Sequence, residues 1–143
     1  LPEFPGFPEE DDPDYPLLLI SAKSRYFLHS SYRWMRRLRE RRPHPTVEIH
    51  PATAARYGIG DGEAAVIETR HGAMTQSARL TDGLDPRVIC ASPGWWFPEG
   101  DPACQYDWRE ANFNFLTSVE KLGREFGTPN LKALPCRLRG PRP

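Results

Sequence analysis

Cysteine is scarce in this 143-residue chain: Cys90, Cys104 and Cys136 are widely spaced and form no Cys-x-x-Cys pair. That spacing excludes a dense disulfide framework and argues against a zinc or iron–sulfur site built from this chain alone. A reducing compartment or buried free thiols is the expectation. Long apolar runs are also missing. The longest, Leu17-Leu18-Leu19-Ile20, falls far short of the ~18 residues that a membrane-spanning helix needs. No signal or transit segment is recognisable, and a chain that opens on Leu1 rather than Met reads as a piece of a longer protein. There is no Gly-x-Ser-x-Gly elbow, no Gly-rich phosphate loop and no repeat of solenoid length. His44, His50 and His71 lack both ligand spacing and a nearby carboxylate partner. A self-sufficient catalytic set is therefore not expected.

Net charge is absent too, but only as a sum. Glu3, Glu9, Glu10, Asp11, Asp12 and Asp14 make the first fourteen residues acidic, with no Lys or Arg among them. The remainder is positive by the same amount, which suits an anionic ligand such as a phosphate as well as an ordinary solvated surface. The same opening stretch carries Pro2, Pro5, Pro8, Pro13 and Pro16. Residues 1–14 are expected to be an extended, irregular linker, and residues 15–140 the globular domain.

Within that domain, Leu17–Ile20 reads as a strand buried on both faces. Ser30 and Ser31 offer N-caps for a helix from Tyr32 to about Arg41, ended by Pro43, with Trp34 and Leu38 packed four residues apart. Val47-Glu48-Ile49 alternates as a short strand. Pro51 suits the first turn of a second helix, Ala52 to Tyr57, and Gly58 its left-handed exit. Glu63 to Thr69, a His71-Gly72 tip and Ala73 to Leu80 make a hairpin, and Val88 to Ala91 another strand. Leu131 to Leu138 closes the set, with Pro135 favouring an edge or bulge. The pattern is mainly β with short helices, a compact mixed barrel.

Three segments concentrate polarity that the fold does not require. Ser21-Ala22-Lys23-Ser24-Arg25 follows the first strand, and His29-Ser30-Ser31 follows it closely. Small and cationic groups at a strand end are suited to a phosphate, and equally to capping with solvent-facing cations. Gly94-Trp95-Trp96-Phe97-Pro98 sets three aromatics side by side, which cannot all point inward from an extended segment. In Asn112-Phe113-Asn114-Phe115, alternation puts both carboxamides on one face and both rings on the other. Carboxamides donate and accept together, which suits the edge of a fused heterocycle; bracing of a loop is the alternative. Arg33, Arg36, Arg37, Arg39, Arg41 and Arg42 make a basic helix, read as a solvated face or subunit contact because no aromatic platform alternates with them.

Taken in order, Leu17–Ile20, Ser21-Ala22-Lys23, His29-Ser30, Val47-Glu48-Ile49-His50-Pro51, Gly58-Ile59-Gly60-Asp61-Gly62, Leu80-Thr81-Asp82, Gly94-Trp95-Trp96, Asn112 to Thr117 and Lys132 resemble the molybdopterin dinucleotide-binding domain. That domain closes the catalytic subunits of the dimethyl sulfoxide reductase family. The resemblance spans about residues 15–138 and implies a double-psi β barrel covering one side of a molybdopterin guanine dinucleotide cofactor. It places Ser21, Lys23, His29, Ser30, Asn112, Asn114 and Lys132 at cofactor-contacting positions, and it carries over no catalytic residue and no metal ligand. Glu48, Pro51, Gly58, Asp61 and Gly62 also match but are assigned to the fold. Ala22-Lys23 stands where the family more usually has Gly-Arg, which keeps the charge and gives up the bidentate fork. The Trp-Trp-Phe-Pro-Glu stretch is similar to the branch with formate dehydrogenases and acetylene hydratase-like enzymes.

The implied partners are the remaining domains of a parent molybdenum- or tungsten-dependent oxidoreductase, with an iron–sulfur subunit as a further candidate; neither nucleic acid nor a membrane span is implied. The parent's targeting, cytoplasmic or periplasmic, is not written in these residues. The competing reading is a stand-alone binding or scaffold module that uses the Arg-rich helix on a protein or nucleic acid.

Overall fold

The computed structural model describes residues 12–120, 122–123 and 126–140. Most of the acidic stretch lies outside the described residues. At its end, Asp12 is ion-paired to Arg70, and the Tyr15 ring lies under the guanidinium groups of Arg70 and Arg137 at 5.2 and 5.3 Å.

Among the described residues, six strands close a barrel: β1 (Leu17–Ser21), β2 (Thr46–Ile49), β3 (Ala64–Glu68), β4 (Ala73–Leu80), β5 (Val88–Ala91) and β6 (Leu134–Arg139). Their order round the barrel is β1-β5-β2-β4-β3-β6. β1 runs parallel to β5 and β2 parallel to β4, while the other four pairings are antiparallel. This is the mixed, closed, mainly β barrel that the resemblance implies. The strands alternate as the side-chain period of two demands, except that in β5 the outward Cys90 is buried as well. Leu17 and Leu19, Val47 and Ile49, Ala65 and Ile67, Met74 and Ala78, Ile89 and Ala91, and Cys136 and Leu138 share one core.

Two expectations about the strands change. β1 is not buried on both faces, because Leu18 and Ile20 remain half-buried on the outside of the barrel. Pro135 has no sheet edge to occupy, since the barrel is closed. It pairs in register with Leu18, and the ladder from β6 to β3 begins only at Arg137, so the imino acid stands before the doubly paired part of its strand.

The helices are short: α1 (Arg36–Arg41) and α2 (Pro51–Arg56) precede a third, α3 (Trp108–Ala111). α2 fits its expectation, with His50 Nδ1 accepting from the Ala52 amide at 3.1 Å and Gly58 leaving at φ +62°. α1 does not start at Tyr32. Tyr32 has φ +70°, and the Ser30 carbonyl accepts from Trp96 Nε1 at 2.6 Å, so tertiary contacts hold residues 28–34 in turns despite their helical propensity. Trp34 thus precedes the helix, is 60% exposed and leans on Trp96, while Leu38 packs beside Phe27, Trp95 and Ala111.

A carboxylate fastens β3 to β6. Glu68 accepts from Arg137 Nε and Nη2 at 3.1 and 2.9 Å and from Arg139 Nε at 2.8 Å. The Arg137 hydrogen bonds, with the charge of Arg139 added, hold the Glu68 carboxyl below its ordinary value of 4.5. A depressed folded-state value means that the unfolded chain takes up the proton first. The stabilisation is thus complete above the ordinary value and is lost as pH falls through the lower folded one. Denaturant midpoints measured from neutral pH downward should fall below about pH 4.5, and Glu68→Gln should flatten that fall. Asp12 and Asp85, also held low by arginines, should leave a residual slope. A slope unchanged in Glu68→Gln would remove Glu68 from the account.

Candidate functional site

Strand direction decides where the singled-out residues go. β1, β5 and β3 point one way and β2, β4 and β6 the other. One end of the barrel, here the upper end, therefore gathers the C-termini of β1, β5 and β3 and the N-termini of β2, β4 and β6. Ser21 closes β1 at that end, and Lys23, His29 and Ser30 lie in the loop that leaves it. Asn112 and Asn114 lie in the long connection that leaves β5, and Lys132 sits just before β6. The topology thus assembles all seven candidates from two connections, β1–β2 and β5–β6, at the same end.

Two contacts fix Lys132 to Ser21 across 111 residues of sequence. The Lys132 ammonium donates to the Ser21 carbonyl, and Ser21 Oγ donates to the Leu131 carbonyl at 3.3 Å. Ser21 is buried, so its hydroxyl serves this junction, whereas Lys132 is exposed and keeps further ammonium hydrogens free. Lys23 is exposed at the rim.

His29 and Ser30 are held by their backbones. His29 sits at φ +52°, a conformation that costs a non-glycine residue on the order of 1 kcal/mol or more. Arg33 explains how it persists: its Nη2 donates to the carbonyls of His29 at 3.0 Å and Gly94 at 3.2 Å. The guanidinium lies between the rings of Phe27 and Trp95, 3.9 and 4.1 Å from their centroids. Burial pulls its pKa down to about 10, with the charge of Arg39 adding to the effect. Gly94 lies directly against His29; at φ +65° it has no Cβ, and one placed there would stand 3.3 Å from the His29 carbonyl carbon. The imidazole of His29 and the hydroxyl of Ser30 are left facing outward.

The Asn112 segment departs from its expected alternation. Phe113–Leu116 is a 3-10 turn, closed because Asn112 Oδ1 accepts from the Asn114 amide at 2.9 Å. Phe113 and Leu116 are buried in the barrel core, Phe115 stacks on Trp108 with centroids 4.9 Å apart, and Asn114 is exposed. Asn112 therefore braces the loop, and the Asn114 side chain is left exposed. Thr69 Oγ1 ties the turn to the β3–β4 hairpin by donating to the Leu116 carbonyl at 3.0 Å.

The aromatic triplet divides. Trp95 is fully buried, while Trp96 and Phe97 are half-buried. Trp96 belongs to a surface run of rings, Tyr32–Trp34–Trp96–Tyr106, with successive centroids 6.0, 6.2 and 5.6 Å apart. Tyr32, Trp34 and Tyr106 are 40–60% exposed, and the exposed Leu28 and Met35 lie beside them in the chain.

The basic helix is smaller than six arginines implied. Arg33 is buried outside it, Arg36 pairs with Glu40, and Arg39 pairs with Glu99. Sequence reasoning missed Arg33 as the clamp of two loops, because its partners stand 4 and 61 residues away and leave no local pattern. Among the described residues, no group of three or more His, Cys, Asp or Glu side chains could hold a metal ion, and no helix is long and apolar enough to cross a membrane.

Residues 17–135 match the family described as "Molydopterin dinucleotide binding domain". The chain is 34% identical over 139 residues to a dopamine dehydroxylase of Eggerthella lenta, covering 95% of this chain and 14% of that protein. It is 32% identical over 136 residues to a periplasmic nitrate reductase of Desulfovibrio desulfuricans, covering 94% of this chain and 16% of that one. Among solved structures, acetylene hydratase from Pelobacter acetylenicus superposes with a TM-score of 0.83 at 27% identity, over 93% of this chain and 20% of that chain.

Proposed function

The chain belongs to the molybdopterin dinucleotide-binding domain family, and we propose that the upper end of its barrel is the surface that holds the dinucleotide. The cofactor of this family is molybdopterin guanine dinucleotide, carrying molybdenum or tungsten. The observation that carries the assignment to the upper end is the convergence of Lys23, His29, Ser30, Asn114 and Lys132 there from loops far apart in sequence.

The donor set fits an anionic, heterocyclic ligand. Lys23 and Lys132 supply positive charge, His29 and Ser30 supply outward-facing polar groups on a backbone fixed by Arg33, and Asn114 supplies a donor and an acceptor for a ring edge. Ser21 and Asn112 act one step back, holding Lys132 and Asn114 in place. When bound, the cofactor supplies the metal centre for oxidation and reduction; this chain's part is to bind and orient it. We read the parent as a larger molybdenum- or tungsten-dependent oxidoreductase, of which this barrel is the C-terminal domain and covers one side of the cofactor. The exposed rings from Tyr32 to Tyr106 support that reading. Aromatic surface of this extent marks a contact, and the chain spans 14–16% of the length of the two relatives above.

Lys23→Ala and Asn114→Ala in the full-length parent should each lower cofactor retention by about 1.5–3 kcal/mol of binding, while leaving the barrel's far-ultraviolet circular dichroism unchanged. Glu120→Ala, exposed on a different stretch, should retain cofactor normally. Full retention in both test variants would defeat the assignment of the upper end.

A further inference from the structure

The segment that enters the barrel is tied to its outer wall by a turn. Asp12 Oδ1 accepts from the Asp14 amide at 3.0 Å, and the Asp12 carbonyl accepts from the Tyr15 amide at 3.1 Å. Asp12 Oδ2 accepts from Arg70 Nε at 3.1 Å and also from Arg70 Nη2. Two donors of one guanidinium meet one carboxylate here, and the Asp12 side chain is only 6% exposed, so the contact is directed rather than a loose surface pair. Tyr15 adds its ring, 5.2 Å from the Arg70 guanidinium, and Pro16 bridges to Cys136 of β6.

Arg70 stands in the tip of the β3–β4 hairpin, and its neighbours in that tip hold a different loop. The Thr69 amide donates to the Gly72 carbonyl at 2.9 Å, which closes the tip, and the His71 amide donates to Thr69 Oγ1 at 3.2 Å. Thr69 is buried, and its hydroxyl donates to the Leu116 carbonyl. At Gly72 an added Cβ would stand 2.6 Å from the Phe115 carbonyl oxygen, so the tip lies as close to that backbone as glycine alone permits. Two consecutive carbonyls of the Phe113–Leu116 turn are thus set by residues on either side of Arg70. A hairpin tip closed by its own hydrogen bonds moves as a unit, so a shift at Arg70 is passed to the turn through Thr69 and Gly72. We propose that Asp12 and Tyr15 are positioning residues: through Arg70 they hold the β3–β4 tip, and the tip sets the turn that carries Asn114. In taking Asn114 as a cofactor contact, the inference rests on the function proposed above. In the parent proposed there, the seating of the entering segment is then felt at the cofactor.

The test is hydrogen exchange in the full 143-residue chain. Asp12→Ala and Tyr15→Leu should each speed exchange at the amides of Asn114, Phe115 and Thr117, which close the turn, by about threefold or more, with β5 unchanged. Asp85→Asn, which weakens a surface pair with Arg87, should leave those amides alone. Thr69→Val removes the donor to Leu116 at nearly constant shape and should itself speed exchange in the turn. Adding Asp12→Ala to it should then change little, because the connection is already cut. Gly72→Ala, which crowds the Phe115 carbonyl, should make the same cut by a second route. Full additivity of Asp12→Ala with either cut, or turn amides unmoved by Asp12→Ala, would overturn the latch; amides unmoved by Tyr15→Leu would strike Tyr15 from it. In the parent, Asp12→Ala should lower cofactor retention, and should lower it no further once Asn114 is replaced by alanine. The two readings fail separately. If the turn amides respond while Asn114→Ala keeps its cofactor, the latch stands and the reading of Asn114 as a cofactor contact falls. If Asn114→Ala loses cofactor while Asp12→Ala keeps it, the positioning role falls alone.

Discussion

Trp95→Ala is expected to destabilise the chain by about 3–5 kcal/mol, the usual range for emptying a buried aromatic site. Trp95 is fully buried, meets Phe27 edge to face at 5.5 Å and forms one wall of the slot that holds the Arg33 guanidinium. Removing it opens a cavity beside a buried cation and leaves that cation over a single ring. The damage should stay local. Trp95 belongs to a cluster with Phe27 and Ala111 that is separate from the barrel core. Hydrogen exchange should therefore show residues 26–35 and 94–97 losing protection first, with β1 and β5 still slow under native conditions. Trp95→Phe, which keeps a ring under Arg33, should recover part of the loss. Uniform loss of protection through all six strands would show that the satellite cluster and the barrel unfold as one unit.

The barrel itself was legible in the sequence because its signals are local. β4 and β5 begin and end where the alternation and the Gly and Asp-Pro punctuation put them, and α2 is bracketed by Pro51 and Gly58. The convergence at the upper end was legible only through the family resemblance, since no spacing within the chain brings Lys132 to Ser21. What alternation and propensity misjudged were the loops. In residues 28–35 the indole of Trp96, 66 residues from Ser30, overrides helix propensity. In Asn112–Leu116 a side chain closing on its own backbone overrides a two-residue alternation that would otherwise sort carboxamides from rings. By sequence Arg33 reads as part of a solvated face or subunit contact, because no aromatic platform alternates with the arginines of that segment. Its burial depends on rings at positions 27 and 95 that meet only in the folded chain.

Phe113→Ala should cost about as much as Trp95→Ala, roughly 3–5 kcal/mol, and should distribute that cost differently. Phe113 is 1% exposed and packs in the same core as Leu19, Ile67 and Ile89, so it closes the upper end of the barrel from within. Loss of its ring opens a cavity in the core to which all six strands contribute, and exchange should quicken throughout the barrel instead of in one loop. Its neighbours supply the controls. Asn112→Ala removes the carboxamide that closes the turn and should cost about 0.5–1.5 kcal/mol, without a cavity. Asn114→Ala removes an exposed side chain whose amide and carbonyl hold the turn by themselves, so it should leave stability nearly unchanged while lowering cofactor retention. Three adjacent residues would then separate three roles: Phe113 for the core, Asn112 for the turn and Asn114 for the ligand. Measured together by denaturation and by cofactor content of the parent, they test whether this end of the barrel divides its labour residue by residue. Equal losses of stability in all three would mean that the turn is one structural unit, with no side chain spared for binding.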